Sequence, residues 1–211
     1  YVPGAFINML AFLGWNPGTT QEIFSMKELI EAFSLERVGK AGAKFDFDKT
    51  KWFNQQYLRA KSKEELAQEL QLILKENGVV AQDNFVATVC EQLKERATFV
   101  KDMWEEGKYY FSAPTTYDEK TVQAKWQEDT SKHLAELKSR LEEVSDFKSE
   151  NIEKAFKLYL EENELGMSKL LSAFRLSLTG LGMGPSLFNI AALIGKEETI
   201  SRIATALNTI K

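Results

Sequence analysis

Apolar residues recur at helical spacing along most of the chain. Residues 62–78 show the pattern with clear ends, because Ser62 and Glu65 match a capping box and Asn77-Gly78 supplies a stop signal. Between these signals the apolar positions fall three or four residues apart, at Leu66, Leu70, Ile73 and Leu74. This stretch therefore predicts an amphipathic helix.

The same spacing predicts helices before and after this one. A first helix begins near Pro3 and ends near Gly14, and its expected core face is Phe6, Met9, Leu10 and Leu13. Further helices are predicted over 26–33, from Asp48 through Tyr57, over Ala81–Met103, within the charged segment 118–164, over Ser168–Leu178, over 187–194 and from 196 onward. Strand-like alternation is scarce, so we expect an all-α fold.

A glycine-rich turn precedes the last two predicted helices. Its glycines, which permit backbone angles that a side chain forbids, are Gly180, Gly182 and Gly184. Pro185 stiffens the exit of the turn, and Ser186 is a candidate N-cap for the next helix. We expect Arg175 and exposed backbone N–H groups close to this turn, where an anionic or polar partner could be held.

Composition excludes several kinds of chemistry. With one cysteine, Cys90, and one histidine, His133, the chain cannot assemble a protein-only zinc site of the usual kind. Cys90 lies in an apolar register and is expected to be a core residue in a reducing compartment. Phosphate-binding glycine motifs and a Ser–His–Asp set are absent from the sequence. No apolar run approaches the roughly 20 residues of a membrane span.

Charge is unevenly distributed along the chain. The net charge is −4, which argues weakly against a nonspecific binder of polyanions. Residues 118–164 carry −5, whereas residues 165–211, which include the glycine turn, carry +3. A selective RNA contact on the positive segment is compatible with this balance, although the total charge alone does not suggest one.

Two blocks of sequence carry a family resemblance. The first combines the run Tyr-x-Pro-x-Ala-x-x-Asn-x-Leu-Ala-x-Leu-Gly-Trp, which ends at Trp15, with Phe33-Ser-Leu-Glu-Arg-Val38 and Lys44-Phe-Asp-Phe-Asp-Lys49. The second combines Leu178-Thr-Gly180, Gly184-Pro-Ser-Leu-Phe188 and Leu193-Ile-Gly-Lys-Glu-Glu198. Together they resemble the C-terminal portion of bacterial glutamyl-tRNA synthetases. Because the sequence opens on Tyr1 and not on a methionine, we expect it to be part of a longer protein.

The resemblance implies three functional segments. Residues 1–60 would form a helical region that contacts the tRNA stem, and residues 61–117 and 118–211 would form two helical anticodon-binding subdomains. By resemblance Lys49 would contact the RNA backbone in the first segment. Without the resemblance, Lys49 would be interpreted as an ordinary surface lysine.

Arg96 is the strongest single candidate. It resembles the family's arginine that inspects the last anticodon base, which is cytosine in glutamate anticodons and guanine in glutamine anticodons. Arginine presents a planar fork of donors that suits the acceptor edge of a pyrimidine. The resemblance thus implies a protein that discriminates the two. The alternative, left open by the sequence, is a surface arginine paired with Glu95 or Asp102.

The remaining site candidates surround the glycine turn. By resemblance Arg175 would hold a base by hydrogen bonding or stacking, Leu187 would pack against a base, and Gly184 and Ser172 would belong to the same anticodon-binding site. The alternative for Leu187 is a place in the core of the last two helices, and the residue could serve both purposes. Ala173 stands where many family members have proline, which leaves the contact of Ser172 open.

The resemblance implies that the chain is a tRNA-recognising part of a glutamate–tRNA ligase. The ATP-binding signatures of the family are absent, so the chain alone is expected to be inactive and to hold no cofactor, with ATP and magnesium used by the full-length enzyme. The expected partner is the tRNA for glutamate, with neither DNA nor a membrane involved, and the expected state is a cytoplasmic monomer. The alternative function is a helical protein–protein interaction scaffold without RNA affinity.

Overall fold

Helices form most of the structure, a computed structural model that describes residues 1–40 and 42–210. The α-helices within these residues are α1 Pro3–Ala11, α2 Met26–Ala32, α3 Phe47–Ala60, α4 Lys63–Glu76, α5 Asp83–Leu93, α6 Val100–Phe111, α7 Glu119–Lys125, α8 Glu128–Glu143, α9 Ser149–Glu162, α10 Met167–Thr179, α11 Leu187–Ile194 and α12 Lys196–Thr209. A short 3₁₀-helix covers Leu35–Arg37. Apart from one isolated bridge between Trp15 and Val38, the described residues contain no β-structure, which confirms the expected all-α fold.

Capping boxes begin two of the helices, and the one at Ser62 was predicted from the sequence. The Ser25 hydroxyl accepts the Glu28 N–H, and the Glu28 carboxylate accepts the Ser25 N–H, at the start of α2. Ser62 and Glu65 make the same exchange at the start of α4. Hydrogen bonds of this kind favour the charged carboxylate, so the side-chain and backbone bonds to Ser25 lower the pKa of Glu28. These local signals therefore set where the helices begin.

Two compact units make up the chain, Tyr1–Gly107 and Lys108–Lys211. In the first unit α1 packs on α3, and α4 packs on α5. The fully buried side chains between α4 and α5 include Leu66, Leu70, Leu74, Val86, Val89 and Cys90. In the second unit α12 packs on α8 and α10, and α11 packs on α9. The three functional segments expected from the sequence stay a prediction.

The predicted core face of α1 was partly wrong. Met9 is buried as expected, but Phe6 and Leu10 are exposed, and the buried positions beside Met9 are Ala5 and Asn8. Asn8 faces inward because its Oδ1 accepts the Phe24 N–H at 2.8 Å and the Tyr57 hydroxyl at 3.1 Å. When a short helix is apolar on both sides, its sequence pattern does not show which side is buried.

The predicted helix over Ala81–Met103 was also wrong. The structure has two helices there, α5 and α6, joined by a turn. Asp102 stabilises the start of α6, because its Oδ2 accepts hydrogen bonds from the backbone N–H groups of Thr98 at 2.9 Å and Phe99 at 2.8 Å. Apolar spacing continues across the turn, so periodicity alone did not reveal the break.

Candidate nucleic-acid interface

The glycine turn begins where α10 ends. Gly180 caps α10 in the left-handed conformation, with φ of 74°, which favours glycine. Its carbonyl accepts the N–H of Asp118 at 2.8 Å. The expected N-cap at the far end is confirmed, since the Ser186 hydroxyl accepts the Asn189 N–H at the start of α11. The turn thus spans two helix ends and touches the segment before α7.

Two glycines of the turn pack too closely for a side chain. A Cβ at Gly180 would collide with the carbonyl oxygen of Thr116, and a Cβ at Gly182 would collide with the Thr121 hydroxyl. That hydroxyl is itself fixed, because it donates to Oδ1 of Asp118 at 2.5 Å. The segment 114–121 therefore holds the turn in place. This contact could not be predicted from local sequence patterns, since the two segments lie far apart in the chain.

Arg175 lies directly under the turn. Its Nη1 donates to the Pro185 carbonyl at 2.8 Å, and a Cβ built on Gly184 would lie 3.0 Å from the same nitrogen. Burial strongly raises the pKa of the nearby Tyr110 phenol, and the charge of Arg175 opposes that rise. The structure thus brings Arg175 and Gly184 together, as the sequence predicted.

The backbone of the turn offers donors. Among the residues that the structure describes, the N–H groups of Gly182, Met183 and Gly184 donate no hydrogen bond. With the guanidinium of Arg175 beside them, these groups favour an acceptor or an anion. This matches the expectation of exposed backbone N–H groups at the turn.

Ser172 and Leu187 are largely engaged within the protein itself. Ser172 is half-buried on α10, and its hydroxyl donates to the Ser168 carbonyl at 2.7 Å, one helical turn earlier. Leu187 is the first residue of α11 and only 2% exposed, so most of its surface already packs against the protein. Their roles in RNA binding stay predictions.

Arg202 is a buried charge that the sequence analysis did not single out. Its side chain is 3% exposed, and its Nη1 donates to the carbonyls of Tyr109 at 2.6 Å and Leu178 at 2.7 Å. Its Nε pairs with Glu198 at 2.7 Å, one turn earlier on α12. The spacing of Glu198 and Arg202 is a helical ion-pair signal, but it does not reveal the burial.

Arg96 is exposed in the turn that follows α5. Neither carboxylate that could have paired with it does so, because Glu95 forms an ion pair with Arg59 at 3.1 Å and Asp102 caps α6. Within the described part of the chain, the Arg96 guanidinium has no hydrogen bond or ion pair. It is therefore available to a partner in solution.

Lys49 lies in the first turn of α3 and is exposed. Its Nζ lies 3.3 Å from Oε1 of Glu22, and 5.6 Å from the centre of the Phe12 ring. Both members of the ion pair are roughly half exposed, so the pairing is weak. A phosphate group could exchange with Glu22 at little cost.

Residues 1–40 and 42–210 contain no group of three histidine, cysteine or carboxylate side chains able to hold a metal ion. No helix within these ranges combines the length and the hydrophobicity that crossing a membrane requires.

Comparison with known proteins identifies the family. A family model described as an anticodon binding domain matches residues 54–207. The glutamate–tRNA ligase of Phocaeicola vulgatus is 47% identical over 211 residues, and that of Flavobacterium johnsoniae is 47% identical over 210 residues. In each case the match covers all of this chain but 42% of the relative, so the chain spans less than half the length of these proteins.

Solved structures agree with these relatives. The crystal structure of a glutamate tRNA ligase from Elizabethkingia meningosepticum in complex with its amino acid matches all of this chain with a TM-score of 0.95 and 44% identity. The glutamate-tRNA synthetase of Elizabethkingia anophelis matches 99% of it with a TM-score of 0.90 and 43% identity. These matches cover 42% and 41% of the two solved chains.

The resemblance to the C-terminal portion of glutamyl-tRNA synthetases is thereby confirmed. The chain belongs to the anticodon binding domain family, in the form that glutamate–tRNA ligases carry.

Proposed function

We propose that this chain recognises the stem and the anticodon of the tRNA for glutamate, as part of a glutamate–tRNA ligase. The observation that carries the proposal is the exposed Arg96 guanidinium, whose two neighbouring carboxylates are engaged elsewhere. An unpaired arginine fork presents donors that suit the acceptor edge of a base. The family match over residues 54–207 supports an anticodon as its target.

The other candidate residues take supporting roles. Arg175 and the N–H groups of the glycine turn hold a second anticodon base, and Lys49 contacts the phosphate backbone of the stem. Ser172 and Leu187 shape the pocket from α10 and α11. Another part of the ligase joins glutamate to the tRNA with ATP and magnesium. The whole ligase is a cytoplasmic monomer.

Fluorescence anisotropy of a labelled anticodon stem-loop tests the proposal. The stem-loop of the glutamate tRNA is titrated beside one whose last anticodon base is guanine, each with the wild-type chain and with Arg96→Gln. We expect the wild type to prefer the stem-loop with cytosine and the variant to lose that preference, because the proposed bidentate contact from Arg96 is what distinguishes cytosine from guanine. Binding should also weaken as salt rises, because phosphate contacts release counterions.

Arg140→Gln is the matched control. It removes the same charge from an exposed arginine that pairs with Glu162, and it should leave the preference for cytosine unchanged. If Arg96→Gln keeps the preference, Arg96 does not read the last base. If neither of the two stem-loops nor intact tRNA binds at low salt, the proposed function fails, and a protein-interaction scaffold becomes the better explanation.

A further inference from the structure

The backbone of the glycine turn is fixed before any ligand arrives. The Asp118 N–H donates to the Gly180 carbonyl at 2.8 Å, and the Leu181 N–H donates to the Thr179 hydroxyl at 3.1 Å. Arg175 holds the exit through the Pro185 carbonyl. Gly180 and Gly182 also pack against Thr116 and Thr121 without room for a Cβ. The exposed side chains of the turn are therefore carried by a backbone of defined position.

Two apolar side chains of this turn point away from the core. Met183 is 80% exposed and Leu181 is 44% exposed. Both side chains are thus exposed in the protein without a ligand, on a turn whose backbone is held by hydrogen bonds. Methionine is unbranched and polarisable, properties that suit it to contact with a flat partner.

The surroundings of Met183 decide what kind of partner fits. The N–H groups of residues 182–184 are available as donors, and the guanidinium of Arg175 lies against Gly184. Residues 165–211 carry a net charge of +3. Asp118, a carboxylate of the adjoining segment, accepts hydrogen bonds from the N–H and the hydroxyl of Thr121. A partner with an apolar face, acceptor atoms at its edge and a negative charge matches this set.

A nucleotide has all three properties, because its base has an apolar face and an edge of acceptors and its phosphate is anionic. An apolar helix of another protein would leave the backbone donors of the turn without acceptors. We infer that Met183 packs against a base of the RNA that binds at the glycine turn. This rests on the proposed function and adds to it a contact residue that the sequence analysis did not identify.

The test measures the binding of the glutamate anticodon stem-loop to Met183→Ala. Removing the thioether should weaken binding about tenfold, since a buried methionine side chain contributes on that order. Met167→Ala is the matched control, because Met167 is a methionine of the same unit with 48% exposure. It should bind the RNA as the wild type does. The thermal unfolding of both variants should match the wild type, since both side chains are exposed.

Three further stem-loops, each lacking one anticodon base, show whether the contact is with a base. If Met183 packs against one base, the loss caused by Met183→Ala should disappear on the RNA without that base and persist on the other two. A loss that is equal on all three RNAs would indicate a backbone contact and overturn the inference.

Two other outcomes also contradict the inference and can be told apart. If the wild type binds and Met183→Ala binds equally well, the inference is wrong and the proposed function stands. If the wild type binds neither the stem-loop nor intact tRNA, both are wrong together.

Discussion

Arg202 and Leu178 join the last helix to the end of α10. Nη1 of the buried arginine donates to the Leu178 carbonyl at 2.7 Å, inside the last turn of the helix that also carries Arg175. The carbonyls of a final helical turn lack partners within the helix, and a cation satisfies them well. Arg202 therefore fixes the helix end from which the glycine turn departs.

Replacing Arg202 by methionine should lower the free energy of unfolding by about 2–3 kcal/mol, because the buried carbonyls of Tyr109 and Leu178 lose a charged donor. Urea unfolding followed by circular dichroism measures the change. Arg140→Met is the control, since the exposed pair of Arg140 with Glu162 should contribute less than about 1 kcal/mol. Equal effects of the two substitutions would show that Arg202 has no special role.

Alanine at Gly182 should destabilise the second unit, because its Cβ would meet the Thr121 hydroxyl. Combining it with Thr121→Ala should recover part of the loss, since the second change removes the colliding atom. A double-mutant cycle by thermal unfolding measures this coupling. Gly180→Ala should cost more and resist such rescue, because φ at Gly180 is 74° and the opposing atom is a backbone oxygen. Additive effects of Gly182→Ala and Thr121→Ala would contradict the proposed contact.

Cys90 should make stability fall at alkaline pH. Burial raises the pKa of its thiol from 9.0 to about 12. Above pH 9 the unfolded chain therefore loses a proton that the folded chain keeps, so the contribution of Cys90 is complete below pH 9 and declines as pH rises toward 12.

Between pH 9 and 10 the loss from this group alone approaches about 1 kcal/mol. The difference between the wild type and Cys90→Ala, measured by urea unfolding at pH 8 and pH 10, isolates it from the lysines and tyrosines. The same burial should keep native Cys90 from reacting with thiol reagents at pH 8. A difference between the two proteins that does not change with pH would rule out this titration.

Local sequence signals were enough to place most helices. The capping boxes at Ser25 and Ser62 each act within one turn, so the residues that set the helix start are neighbours in the sequence. The family resemblance also came from short runs of residues, and the relatives confirm it. It supplied the site candidates, whose roles in RNA binding stay predictions.

Signals of this kind failed where two faces of one helix were equally apolar. On α1 the spacing of Phe6 and Leu10 suggested a core face, but both are exposed, and the polar Asn8 is buried instead. Asn8 is accommodated by the Phe24 N–H and the Tyr57 hydroxyl, partners far along the chain. Such a preference cannot be read from the helix itself.

Helix positions and the all-α class followed from periodicity and capping, because these depend on residues within a few positions of each other. The shape of the glycine turn, the burial of Arg202 and the availability of Arg96 were decided by tertiary structure. Each depends on a group supplied from elsewhere in the same unit. The Thr121 hydroxyl packs against the turn, and the Tyr109 carbonyl accepts a hydrogen bond from Arg202. The guanidinium of Arg59 pairs with Glu95, which leaves Arg96 without that partner. Only folding brings these partners within reach.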